Sequence, residues 1–224
     1  MSHLFRRTLQ FALPAFVALG AGAVCLWLSP ASAIRAEEGS DPVVKVEEKW
    51  SLTINEPAPE LDSPQLNTVM SPGGTSLYGL FTINYRDYRG FIPGGVGAEV
   101  WDGDDQLSTR SQHTGHLNSN NETITWTQVL EVNGLELKFK VVNGTSESWG
   151  SFGGETLTVS RLLSGSLTLD AYDSATSANH AVITFGGNRV ESLTLVEVRQ
   201  TRLSGVVAVD STPRVVFTGD AAEQ

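Results

Sequence analysis

The chain has 224 residues, of which 40% are hydrophobic and 18% charged, with a formal net charge of −10 and one cysteine. This composition excludes a disordered chain and a multi-span membrane protein. The acidic balance argues against general affinity for nucleic acid or anionic lipid, and a lone cysteine forms no intrachain disulfide.

Residues 1–33 read as a secretory signal peptide. Arg6 and Arg7 form a positive start, Phe11 to Leu28 is an uncharged apolar run, and Ala31-Ser32-Ala33 offers small residues for cleavage. Arg6-Arg7-Thr8-Leu9 also fits the core of a twin-arginine signal, so the export route stays open. The expected location is periplasmic or extracellular, with no membrane attachment after cleavage. Cleavage removes two of the 15 basic residues and none of the 25 acidic ones, leaving 13 against 25 and a net charge of −12. It also removes Cys25, so thiol catalysis and thiolate metal sites are excluded from the mature chain.

Residues 34–45 form an acidic leader, and a single domain is expected over 46–220, followed by a short tail at 221–224. Val44, Val46, Trp50, Leu52 and Ile54 alternate with polar residues, which predicts a half-buried strand with one lapse at Glu48. Pro57, Pro59 and Pro64 break the chain into an extended loop. Leu77 to Tyr85 is nearly continuous in apolar and β-prone residues, as in a strand covered on both faces. After Gly94-Gly95, Val96, Ala98 and Val100 alternate.

Residues 101–122 then read as a long polar connection. Beyond it Ile124, Trp126, Gln128, Leu130 and Val132 share one face of a strand. Asn133-Gly134 predicts a type I′ hairpin turn into a second alternating run, Leu135, Leu137, Phe139 and Val141. Asn143-Gly144 predicts another turn. Further strands are expected at 155–160, 166–171, 180–185, 190–199, 205–209 and 214–218, with no amphipathic helix of ten or more residues.

Short strands and glycine-rich turns without crossover helices imply antiparallel packing. The expected fold is an all-β, antiparallel two-sheet β-sandwich of jelly-roll type, with a closed β-barrel as the alternative.

The 101–122 segment is the first place to look for chemistry. Asp102, Asp104 and Asp105 are hard oxygen donors that, with nearby asparagines, offer ligands to calcium. His113 and His116 are spaced to share a transition metal. A solvated surface loop accounts for the same residues more simply, and no cofactor is expected. Trp50 and Trp126 read as core, whereas Trp101 ends a strand at the polar segment. Trp149 lies in a glycine- and serine-rich turn, either as a lid folded on the sandwich or as a sugar-stacking platform. Glu99 and Trp101 fall on one strand face, opposite to Val96, as in a sugar cleft or a plain solvent-facing pair. Arg86 and Arg89, flanked by Tyr85 and Tyr88, suit an acidic glycan or guard an edge strand.

No G-x-S-x-G elbow, phosphate loop or zincin motif occurs. The expected function is a non-catalytic module that binds a glycan or another cell-surface component. A polysaccharide hydrolase or lyase and a structural envelope or matrix protein are the alternatives.

Overall fold

The computed structural model describes residues 41–55, 64–85, 95–113, 115, 117 and 121–219, all within one compact unit spanning 39–224. Thirteen strands, one short α-helix and two single-turn 3-10 helices (Gly154–Leu157 and Gly187–Arg189) are seen there. In chain order they are β1 (Val43–Ile54), β2 (Gln65–Met70), β3 (Leu77–Tyr85), β4 (Gly95–Asp102), β5 (Asp105–Gln112), β6 (Thr123–Asn133) and β7 (Glu136–Ser146). Then come β8 (Gly150–Phe152), β9 (Thr158–Leu162), α1 (Ser174–His180), β10 (Val182–Phe185), β11 (Val190–Arg202), β12 (Val207–Asp210) and β13 (Arg214–Thr218).

They build the two-sheet antiparallel sandwich that the alternating pattern predicts, with no closed barrel. The larger sheet runs β12-β11-β1-β6-β7-β8, with β13 also on β11 and β9 also on β7. The smaller runs β10-β2-β3-β4-β5, so β2 to β5 form a meander. No helix among the described residues is long and apolar enough to cross a membrane.

The core follows from strand parity. Trp50 on β1 stands opposite Trp126 on β6, and their rings stack 6.2 Å apart at 7°. Phe81 of the smaller sheet tilts against Trp126 at 5.4 Å. Gly79 on β3 faces the Phe139 ring, and a Cβ there would overlap it. The missing side chain at Gly79 therefore makes room for the Phe139 ring between the sheets.

Glu48 is not a lapse in the alternation but part of it. It is fully buried, accepts from Trp50 Nε1 at 2.9 Å and from the Tyr172 hydroxyl at 2.6 Å, and so ties the segment before α1 to β1. Burial pushes its carboxyl above the usual range, against the hydrogen bonds that favour the charged form. Gln128 is also buried. Its amide meets Thr68 Oγ1 at 2.5 Å and, with its oxygen turned to the indoles, accepts from Trp126 Nε1 and Trp50 Nε1, both at 3.2 Å. The polar atoms of Glu48 and Gln128 thus find partners inside the core.

Several local expectations are corrected. The 133–136 hairpin has its two-residue loop at Gly134-Leu135, because Asn133 pairs with Glu136. Gly134 has φ +61 while Asn133 keeps a strand conformation, so the loop is displaced by one residue from the predicted type I′ turn. Asn143-Gly144 is a bulge and not a turn. Asn143 takes φ +55, β7 continues to Ser146, and the register against β6 shifts by one residue between Thr125 and Thr127. Missing Cβ bulk at Gly144 admits the Phe152 ring. Val43, and not Val44, points inward, across a register shift at the start of β1. Residues 166–171 are not a strand, and 174–180 form a helix capped by Asp173.

Candidate binding face on the five-stranded sheet

Along β4 the small apolar residues Val96, Ala98 and Val100 are sealed against the core. Parity then sends Glu99 and Trp101 to the outer face of the smaller sheet, as the sequence pattern anticipates. Antiparallel register places Leu80 of β3 beside Glu99 and Tyr78 beside Trp101. The Tyr78 and Trp101 rings are parallel within 2°, with centroids 6.3 Å apart. Cross-strand aromatic pairs of this kind stabilise the sheet and present apolar faces together.

Glu99 is 4% exposed although it lies on the outer face. Its Oε2 accepts from Trp101 Nε1 at 2.6 Å, a short charge-assisted bond that fixes the indole. The Tyr78 hydroxyl donates to the Gly103 carbonyl at 3.2 Å. Partial burial, with Asp104 and Glu99 nearby, raises the phenol above its ordinary value, so it remains a neutral donor. Beside this pair a shallow cavity of about 480 Å³ is lined by Asn67, Val69, Ser76, Tyr78, Leu80 and His180. Apolar walls with a few polar groups suit a ligand that has both kinds of surface.

The long polar connection expected at 101–122 is instead partly strand. Asp105–Gln112 is β5, which returns along β4 after a tight turn with Gly103 at φ +57. Its polar composition hid it, since all of its side chains are exposed or half-buried. Asp102, Asp104 and Asp105 sit at this turn, where Asp102 accepts from Ser76 Oγ and Gly103 N donates to the Ser76 carbonyl at 3.0 Å. Among the described residues no group of three or more histidines or carboxylates is placed to hold a metal ion. His113 lies past the end of β5 with φ +57. His116, Arg86 and Arg89 lie outside the described residues.

Trp149 is folded back on the sandwich. Its ring stacks on His113 at 6.1 Å and 7° and meets Phe152 edge-on, and its Nε1 donates to the Gly115 carbonyl at 2.9 Å. The turn carrying it is anchored by buried Glu122, which accepts from Ser146 Oγ, from Ser148 N at 3.1 Å and from Ser148 Oγ at 2.5 Å. Trp101 and Trp149 therefore stand in different settings, one on a sheet face and one over a loop.

Tyr78 and Leu80 were not singled out from the sequence. They sit inside an apolar run, and only the inward parity of Gly79 and Phe81 assigns them to the outer face. Comparison with known proteins finds no matching family model, curated protein or solved structure.

Proposed function

We propose that this chain is an exported, non-catalytic module that binds a glycan or another saccharide-bearing cell-surface component through Tyr78, Glu99 and Trp101. The observation that carries the reading is the parallel Tyr78–Trp101 pair, its indole held by the nearly buried Glu99. Sugars present C–H groups on one ring face and hydroxyls around the rim. An aromatic face takes the first, and fixed polar groups take the second. The adjoining cavity supplies such groups at Asn67 and Ser76. A rigid sheet also limits the ordering cost of binding.

Titration calorimetry of residues 34–224 against neutral and acidic oligosaccharides, with and without calcium, tests the proposal. It expects heat of binding with at least one class, and a calcium requirement would bring Asp102, Asp104 and Asp105 into the site. Absence of binding to every class would end it.

A further inference from the structure

The outer face of the larger sheet carries a second cavity, of about 420 Å³, across β11, β1, β6 and β7. Two bulges flank it. Lys49 of β1 pairs with Glu197 and Trp50 with Leu195, so Val196 is an extra residue on β11. On β6, Thr125 pairs with Thr145 and Thr127 with Val142, so Asn143 and Gly144 together answer Trp126. The bulges stand at one level, because Lys49 pairs with Thr127 and Trp50 with Trp126 between β1 and β6. A bulge bends and twists the strand that holds it, and two at one level hollow the face between them.

The charges around this hollow leave one cation free. Glu47 lies opposite Arg199, and Lys49 lies opposite Glu197. The ion pairs run along the strands instead, Lys45 to Glu47 at 3.0 Å and Arg199 to Glu197 at 3.4 Å. Glu197 also accepts from Ser211 Oγ at 3.3 Å. Lys49 is exposed and forms no ion pair among the described residues. The side chains of Thr127, directly opposite it, and of Asn143 make no hydrogen bond among the described residues either. Lys45, Lys49 and Arg199 against Glu47 and Glu197 make the patch net positive, in a chain of charge −10. Trp126 at the floor is buried with its ring stacked on Trp50, so the hollow offers no aromatic face.

We propose that this hollow is a second ligand site, separate from the Tyr78–Trp101 pair, and that it takes a sugar acid, a carboxylate with hydroxyls on neighbouring carbons. The Lys49 ammonium and the guanidinium N–H groups that Arg199 does not give to Glu197 bind the carboxylate. The Thr127 hydroxyl and the Asn143 amide each donate and accept, as sugar hydroxyls require. Glu47 and Glu197, held by their own cations, keep lone pairs for further hydroxyls. The volume falls in the ~300–1,000 Å³ range of small-molecule sites, and the wholly polar lining favours a ligand with no large apolar face.

The test titrates 15N-labelled residues 34–224, which carry every described core side chain, with sodium glucuronate, sodium acetate and glucose. Glucuronate is expected to give saturable amide shifts at Thr127 and Asn143. Acetate, with the carboxylate alone, and glucose, with the hydroxyls alone, are each expected to bind about tenfold more weakly or less. Lys49→Gln is expected to weaken glucuronate by about tenfold, as loss of a charged hydrogen bond does. Lys138→Gln, which removes a lysine of the same sheet already paired with Glu136, should leave it unchanged. Trp101→Ala should also leave it unchanged, so failure of this site and failure of the smaller-sheet site are told apart. No saturable shift at Thr127 and Asn143 overturns the proposal. So does acetate binding as tightly as glucuronate, equal loss in the two lysine variants, full affinity in Lys49→Gln, or loss of the titration in Trp101→Ala.

Discussion

Trp101 Nε1 donates to Glu99 Oε2 at 2.6 Å, and the same bond recurs at 2.9 Å between Trp50 Nε1 and Glu48 Oε2. In both cases the acid stands two residues before the indole on a strand, so both side chains leave by the same face. Glu48 and Trp50 are sealed between the sheets, whereas Glu99 and Trp101 stand on the outer face of the smaller one. One local arrangement thus serves the core in β1 and an accessible aromatic surface in β4.

The outer pair predicts a split between two Glu99 variants. Glu99→Gln keeps an oxygen for the indole N–H and should preserve oligosaccharide binding. Glu99→Leu removes it, frees the ring to reorient and should weaken binding about tenfold, or about 1.4 kcal/mol. Calorimetric titration of the two variants in parallel reads the difference. Equal losses would mean that the charge of Glu99, and not its hold on the ring, matters.

The inner pair predicts a pH dependence. Glu48 has its pKa raised from 4.5 by burial, so over the interval above that value the folded chain binds a proton that the unfolded chain has released. Its contribution favours the fold at low pH and is lost as pH rises through the folded pKa. Glu48→Gln cannot titrate. Its unfolding temperature should gain on wild type as pH is raised through the range above 4.5. A constant difference across that range would show that Glu48 keeps an ordinary titration in the fold. Asp210 gives the opposite sign. Arg214, then Thr212, lower its carboxyl from 3.8 to about 2, so its contribution is present above 3.8 and fades as pH falls toward 2.

Buried Gln128 predicts a cost that a second substitution reduces. Gln128→Leu leaves the Trp126 indole N–H and the Thr68 hydroxyl without their partner. The expected loss is about 1–3 kcal/mol for each group left unpaired. Adding Trp126→Phe removes one of those donors, so the double variant should fall short of the sum of the singles. Urea midpoints at unchanged m-value measure this coupling. Strict additivity would contradict the hydrogen-bond account.

Gly79 predicts a packing limit. A methyl group there meets the Phe139 ring, whose own backbone is fixed in β7. Gly79→Ala should destabilise by about 1–3 kcal/mol, as overpacking does in a tight core. Gly165, whose Cβ position has open space around it, should accept alanine with little change. Chemical denaturation of the two variants makes the comparison.

Strand parity made much of this molecule legible before its structure. The alternation in β1, β4, β6 and β7 identified the core tryptophans and put Glu99 with Trp101 on one face. What it missed has physical causes. β5 is polar because it lies on the outside of the smaller sheet, so no apolar face marks it. Gln65–Met70 carries its inward residues Leu66, Thr68 and Met70 beside a proline-rich stretch, and the middle one is polar because it bonds to Gln128. Asn-Gly dipeptides announce a positive φ but not its use. Asn143 spends it on a bulge, while the Gly134 turn is set by the pairing of Asn133 with Glu136. Tyr78 became visible only through its cross-strand partner.

The most direct test of the central claim is to titrate the wild-type chain, Trp101→Ala and Trp149→Ala with the oligosaccharide class that binds wild type best. Binding through the outer face of the smaller sheet predicts that Trp101→Ala loses affinity at least tenfold while Trp149→Ala, at the opposite setting over His113, keeps it. Loss confined to Trp149→Ala, or full affinity in both variants, would contradict it.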